Sequence, residues 1–158
     1  MPQRPVVLAN NEIYHVFNRS IAKTDIFSHK VHLRSAVAIL DYYRFTQRLR
    51  LSKFKALTPE FKNNYLDSIE ADKPLVEIYA FALMPNHYHF LLKQLQDKGI
   101  ATFISNFQNS FAKIFNLKNN RNGALFQNAF KAKRIADDEQ FMHVSRYIHL
   151  NPVTAFLI

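Results

Sequence analysis

The chain has 158 residues, of which 48% are hydrophobic and 21% charged, values typical of one globular domain. It contains no cysteine and only two glycines, Gly99 and Gly123. These counts exclude disulfides, cysteine nucleophiles and the glycine-rich loops that bind nucleotide phosphates. The net charge of +9 favours a polyanionic partner, although a merely basic protein has the same balance.

The N-terminal residues contain no apolar segment of the kind that forms a secretion signal. No apolar run reaches the roughly 18 residues that a membrane-spanning helix needs. We therefore expect a cytoplasmic protein without a membrane partner, and we interpret residues 1–158 as one domain.

The first half of the chain predicts a strand, a helix and an insertion. Residues 13–19 are rich in β-branched and aromatic side chains, which favour a strand. Residues 32–47 have apolar side chains at helical spacing. Residues 51–74 are polar and basic, and we interpret them as an insertion that contains a short helix beginning at Thr58-Pro59.

The second half predicts a hairpin followed by two helices around an extended segment. Residues 75–84 and 87–94 form two strands separated by Pro85-Asn86. Apolar residues from Ile100 to Phe115 form the clearest amphipathic helix, which should end at 119–123. Residues 125–135 should be extended, and a last helix should begin at Asp137 and stop near Asn151-Pro152.

This order of elements is β-α-β-β-α-β-α with an insertion after the first helix. Its first six elements predict an α+β fold with a ferredoxin-like antiparallel sheet and helices on one face. The last helix is additional, and the open face of the sheet is where a ligand would lie.

Two histidines, His87 and His89, are two residues apart on the second strand of the hairpin. Alternation along a strand directs both side chains to one face, while Tyr88, Phe90 and Leu92 point towards the helices. Two adjacent imidazoles can hold one divalent metal ion with a third ligand from elsewhere. A His-x-His pair alone is also consistent with two ordinary histidines.

Tyr147 and Asn151 are four residues apart and so share one side of the last helix. An amide oxygen suits Mg²⁺ or Mn²⁺, and a tyrosine near a metal ion can serve as a nucleophile. The structural alternative is that Tyr147 packs at the core boundary while Asn151 caps the helix.

Several segments together resemble a known family. Residues 84–92 (MPNHYHFLL) and 146–153 (RYIHLNPV) are similar to the two signatures of the REP-associated tyrosine transposases, members of the HUH single-strand transposases. Residues 14–19 (YHVFNR), 109–113 (NSFAK) and 125–127 (LFQ) are also similar to that family. The resemblance spans most of the chain.

The resemblance implies a nuclease and strand transferase that acts on single-stranded or hairpin DNA. By this analogy His87, His89 and Asn151 match the ligands of Mg²⁺ or Mn²⁺, and Tyr147 matches the nucleophile that attacks a DNA phosphate. No other cofactor is expected, and a homodimer is left open. The alternative is a DNA-binding regulator that has kept the fold and lost the reaction.

Basic residues outside these signatures are candidate DNA contacts, with a solvated basic surface as the alternative. They are Lys131, Lys133, Arg134, Arg44, Arg48 and Arg50.

Overall fold

The computed structural model of the chain describes residues 6–70 and 73–157. Within these ranges it contains four strands and five α-helices. In chain order they are β1 (Ile13–Arg19), α1 (Lys30–Tyr43), α2 (Leu51–Lys55), α3 (Pro59–Glu70), β2 (Val76–Met84), β3 (His87–Gln94), α4 (Gly99–Lys118), β4 (Lys131–Arg134) and α5 (Asp138–Leu157).

The four strands form one antiparallel sheet in the order β2-β3-β1-β4. β2 and β3 make the predicted hairpin around Pro85-Asn86, and β1 lies between β3 and β4. This order is that of the ferredoxin-like fold, so the predicted fold class is confirmed. The register places Phe17 of β1 opposite His89 of β3, and His15 opposite Lys133 of β4.

The two faces of the sheet are covered by different helices. On one face α1 and α4 pack over a core of aromatic side chains, including Tyr88, Phe90 and Phe107. On the other face α5 packs on β2 and β3, where Ile148 meets Leu91 and neighbouring alanines. The prediction of an open face therefore needs correction, because α5 covers part of it and turns the remainder into a pocket.

Aromatic side chains serve mainly as core. Eight of the fifteen phenylalanines are buried, and they are Phe27, Phe90, Phe103, Phe107, Phe111, Phe115, Phe126 and Phe130. Such side chains dominate the burial of apolar surface in a domain of this size. Burial in the core therefore accounts for much of the aromatic content among the described residues.

Four predicted boundaries were wrong. α1 ends at Tyr43 rather than at residue 47, because the Gln47 side chain donates a hydrogen bond to the Tyr42 carbonyl and the chain turns there. The insertion contains two helices, α2 and α3, rather than one. Only Lys131–Arg134 of the predicted extended segment pairs as a strand, apart from an isolated bridge at Phe126.

The fourth boundary is the end of α5, which continues past Pro152 to Leu157. Proline removes one backbone donor, yet the helix continues past Pro152. No helix in the described parts of the chain is long and apolar enough to cross a membrane.

Candidate active site

His87 and His89 lie on the face of β3 that is turned towards α5. Their rings are 5.1 Å apart and nearly perpendicular, at 88°. His89 is 8% exposed, whereas Tyr88 between them is fully buried on the opposite face. The predicted alternation along the strand is therefore confirmed, and both imidazoles are adjacent to one pocket.

α5 brings Tyr147 to these histidines. The helix begins where Asp137 accepts a hydrogen bond from the Gln140 amide, and the Gln140 side chain accepts one from the Ala136 amide. This pair of hydrogen bonds is the predicted capping box with one difference. The Gln140 side chain accepts from the Ala136 amide rather than from the amide of the cap residue Asp137. Ile148 then anchors the helix on the sheet, and Tyr147 remains 49% exposed beside it.

The Tyr147 ring meets two histidines edge-on. Its centroid lies 5.5 Å from that of His89 and 6.2 Å from that of His15 on β1. The sequence places these residues on three separate elements, and the fold brings them together.

The imidazoles are held by hydrogen bonds at their Nδ1 atoms. His87 Nδ1 lies 2.8 Å from Asn86 Oδ1, which can only accept, so the imidazole donates. His89 Nδ1 lies 3.0 Å from His15 Nε2. Within the described parts of the chain, the Nε2 atoms of His87 and His89 have no hydrogen-bond partner, so they are available to a ligand.

The same imidazoles are neutral at physiological pH. Burial lowers the pKa of His89 to about 4, and the nearby His15, His87 and Arg19 add to this effect. Burial, with the Lys133 ammonium, lowers the pKa of His15 to about 4. The pKa of His87 is lowered by burial and by Arg19. Neutral imidazoles are the form that binds metal ions.

The pocket beside these histidines has a volume of about 370 Å³. Besides the histidines and Tyr147, it is lined by two cationic side chains, Arg19 and Lys133, and by His143. Arg19 is the register neighbour of His87, and Lys133 that of His15. The pocket therefore combines a phenol, neutral imidazoles and positive charge, a combination suited to an anionic phosphate ester.

A divalent metal ion fits the donors of this pocket. Two neutral imidazoles with available Nε2 atoms would supply two of the ligands. Amide, water and phosphate oxygens suit Mg²⁺ or Mn²⁺ as the other ligands. Among the described residues, no three His, Cys, Asp or Glu side chains are grouped to hold a metal ion. The protein would thus supply a small part of the ligand shell.

Asn151 lies one helical turn after Tyr147, as predicted, but its side chain does not line the pocket. Its Nδ2 atom is buried and has no hydrogen-bond partner among the described residues. Because Nδ2 is a donor and a metal ion would bind the amide oxygen, this unpartnered atom does not support metal binding by Asn151. Its role as the third metal ligand stays a prediction.

The predicted DNA contacts fall into two groups. Lys131, Lys133 and Arg134 lie exposed on the edge strand β4 beside the pocket, although Arg134 is engaged with Glu12 at 3.1 Å. Arg48 lies elsewhere, bonded to Ser68 of the insertion. Of the three residues on β4, Lys133 is the one that lines the pocket with the histidines.

Arg44 lies with His149 at a separate groove of about 900 Å³, between α1 and the free edge of β2. This larger groove contains neither His87 nor Tyr147. Arg44 is therefore poorly placed for DNA bound at the histidines.

Two other tyrosines near the histidines in the sheet are poorly placed to act as nucleophiles. Tyr14 and Tyr88 are both fully buried. The Tyr14 hydroxyl donates to the Val7 carbonyl, and the Tyr88 hydroxyl donates to Gln108. Tyr147 is the tyrosine in the pocket whose side chain is substantially exposed.

Neither His15 nor Arg19 was selected as a site residue from the sequence. Both lie in the YHVFNR segment, and Arg19 is adjacent in sequence to the buried Asn18. The alternation of side chains along β1 could have indicated them, because the odd-numbered residues of β1 share the face of His87 and His89. Recognising it required the strand order, which the sequence pattern alone leaves undetermined.

The chain belongs to the IS200-like transposase family, whose model matches residues 10–151. A comparison with curated protein sequences finds no significant match.

Two solved structures share the fold. One is a REP-associated tyrosine transposase bound to a REP hairpin, with a TM-score of 0.63 and 14% identity over 100% of this chain and 76% of that one. The other is a protein assigned as a transposase from Deinococcus radiodurans R1, with a TM-score of 0.50 and 14% identity over 94% of this chain and 95% of that one.

Proposed function

We propose that this protein is a metal-dependent transposase that cleaves and rejoins single-stranded or hairpin DNA through a covalent phosphotyrosine. The observation that supports it most is the contact of Tyr147 with His89 and His15, at 5.5 Å and 6.2 Å between ring centroids. Family membership supports the transposase class. The similar structure bound to a REP hairpin supports hairpin DNA as the partner.

In this proposal His87 and His89 hold Mg²⁺ or Mn²⁺ through their Nε2 atoms, and Asn151 supplies an amide oxygen. The ion would polarise the scissile phosphate and offset negative charge in the transition state. Arg19 and Lys133 bind phosphate oxygens from either side of the pocket that they line.

Tyr147 forms the new bond. Its Oη attacks the phosphorus, the bond from phosphorus to the 3′ oxygen breaks, and the 5′ side remains attached to the protein. The phenol is 49% exposed, so water can take its proton, and the leaving 3′ oxygen takes a proton in turn. The products retain a phosphodiester, so a later 3′ hydroxyl can reseal the strand without ATP.

The first test is Tyr147→Phe, which removes the nucleophile and keeps the ring for packing. End-labelled hairpin DNA and Mn²⁺ should give a protein-linked band on a denaturing gel with the parent and none with the variant. Tyr79→Phe is the matched control, because Tyr79 is 37% exposed and lies outside the pocket. An adduct in the Tyr147 variant would refute the assignment.

The second test measures Mn²⁺ binding by calorimetry. His87→Ala and His89→Ala should weaken binding strongly, because each removes a direct ligand. His149→Ala is the control, since His149 is exposed and lies at the other groove. Unchanged binding in both ligand variants would contradict the proposed metal site.

An inactive DNA-binding module is the alternative function. It predicts hairpin binding without an adduct for the parent over a range of hairpins and metal ions. The presence of an exposed Tyr147 beside two free imidazole Nε2 atoms favours the enzyme, because a site that has lost its reaction need not keep either feature.

A further inference from the structure

His15 lines the pocket but has no part in the reaction proposed above. Its Nε2 lies 3.0 Å from His89 Nδ1, and the two rings stack with centroids 5.1 Å apart and 28° between their planes. The His15 ring also contacts Phe17, at 4.9 Å between ring centroids. Packing and a hydrogen bond together fix the orientation of this ring.

A hydrogen bond between two neutral imidazoles has one donor and one acceptor. If His89 Nδ1 accepted, the proton of His89 would be on Nε2, and that atom could not bind a metal ion. If His89 Nδ1 donates, Nε2 keeps its lone pair for the pocket. The neighbouring His87 follows the second pattern, because its Nδ1 donates to Asn86.

We infer that His15 is a positioning residue, which accepts a hydrogen bond from His89 Nδ1 and so directs His89 Nε2 to the metal ion. This inference rests on the proposed function. It requires the proton of His15 to be on its own Nδ1. Asn86 and His15 then perform the same task for the two ligands, one through an amide oxygen and the other through an imidazole nitrogen. Such outer partners of histidine ligands raise metal affinity.

The test compares His15→Phe with His15→Gln. Phenylalanine keeps a ring between Phe17 and His89 but cannot accept a hydrogen bond. Glutamine places an amide oxygen near the position of Nε2 and can accept from His89. We expect Mn²⁺ affinity, measured by calorimetry, to fall about 10–100-fold in His15→Phe and to recover in His15→Gln.

A second readout separates positioning from packing. In His15→Phe the Mn²⁺ concentration for half-maximal adduct formation should rise above that of the parent. A purely structural role would lower the thermal midpoint of the metal-free protein and leave the Mn²⁺ requirement unchanged. That outcome, or parental Mn²⁺ affinity in His15→Phe, would overturn the inference.

Pulsed electron paramagnetic resonance of bound Mn²⁺ counts the imidazole nitrogens coordinated to it. Positioning predicts two coordinated imidazoles in the parent and two in His15→Gln. A fall from three to two would show that His15 is itself a ligand and would refute its positioning role. If His87→Ala binds Mn²⁺ as the parent does, the proposed metal site fails, and this result is distinct from a failure at His15 alone.

Discussion

Acidification should destabilise the metal-free protein through the buried histidines. Above pH 6.5 the His89 imidazole is neutral in both the folded and unfolded states, so its titration leaves stability unchanged. Below pH 6.5 the unfolded chain binds a proton that the folded pocket rejects until the pKa of His89, about 4, is reached. Stability is therefore lost as pH falls from about 6.5 towards 4.

The magnitude follows from the two pKa values of His89. With an unfolded pKa near 6.5 and a folded value of about 4, the loss at pH 5 relative to pH 7.5 is about 2 kcal/mol. With a typical dependence on urea, that loss lowers the urea midpoint by about 1 M. His15 and His87 change in the same direction, so the loss for the whole protein exceeds that for His89 alone.

The assay is urea unfolding followed by circular dichroism at pH 7.5 and pH 5, with EDTA present. His89→Gln removes the titrating imidazole, so the loss between the two pH values should be smaller by about 2 kcal/mol than in the parent. His149→Gln removes an exposed imidazole and should keep the parental loss. Equal losses in the parent and in His89→Gln would show that the His89 imidazole does not contribute to the loss of stability at pH 5.

Three further predictions concern packing and DNA. Gly99→Ala should cost about 1–3 kcal/mol in urea unfolding, because its Cβ would lie 2.4 Å from the Leu75 carbonyl oxygen. Gly123→Ala, where φ is +90° and the space is open, should cost about 1 kcal/mol; a larger loss there than at Gly99 would contradict this. Lys133→Ala should reduce the slope of log affinity for hairpin DNA against log salt by roughly 0.7–0.9 in fluorescence anisotropy. Lys55→Ala on α2 should keep the parental slope, and equal slopes in the two variants would argue against a phosphate contact at Lys133. The parent should also bind single-stranded or hairpin DNA more tightly than blunt duplex at two salt concentrations, and equal binding would exclude this preference.

Much of the fold and half of the site could be predicted from local pattern. Pro85-Asn86 interrupts two apolar runs, so the hairpin and the shared face of His87 and His89 follow from the period of a strand. The cap and apolar stripe of α5 place Tyr147 at the edge of that stripe, whereas its choice as the nucleophile came from the family resemblance and stays a prediction. These features depend on interactions between residues close in sequence.

The remaining features depend on contacts between distant residues. His15 meets His89 only because β1 pairs with β3, and Lys133 reaches the pocket only because β4 pairs with β1. The hydrogen bond from Arg48 to Ser68 likewise depends on the packing of the insertion, which no periodicity in the sequence reveals. The continuation of α5 past Pro152 likewise opposes the local preference of proline.

The covalent linkage of Tyr147 to DNA can be tested directly by mass spectrometry of the linked protein. The parent is incubated with hairpin DNA and Mn²⁺, digested with nuclease and trypsin, and searched for nucleotide-bearing peptides. The chain after Arg134 contains Tyr147 as its only tyrosine, so a modified peptide from this region identifies the residue. We expect a 5′ phosphonucleotide on Tyr147 that does not form when EDTA is present during the incubation. A nucleotide on any other residue, or an adduct that forms equally well without a divalent ion, would contradict it.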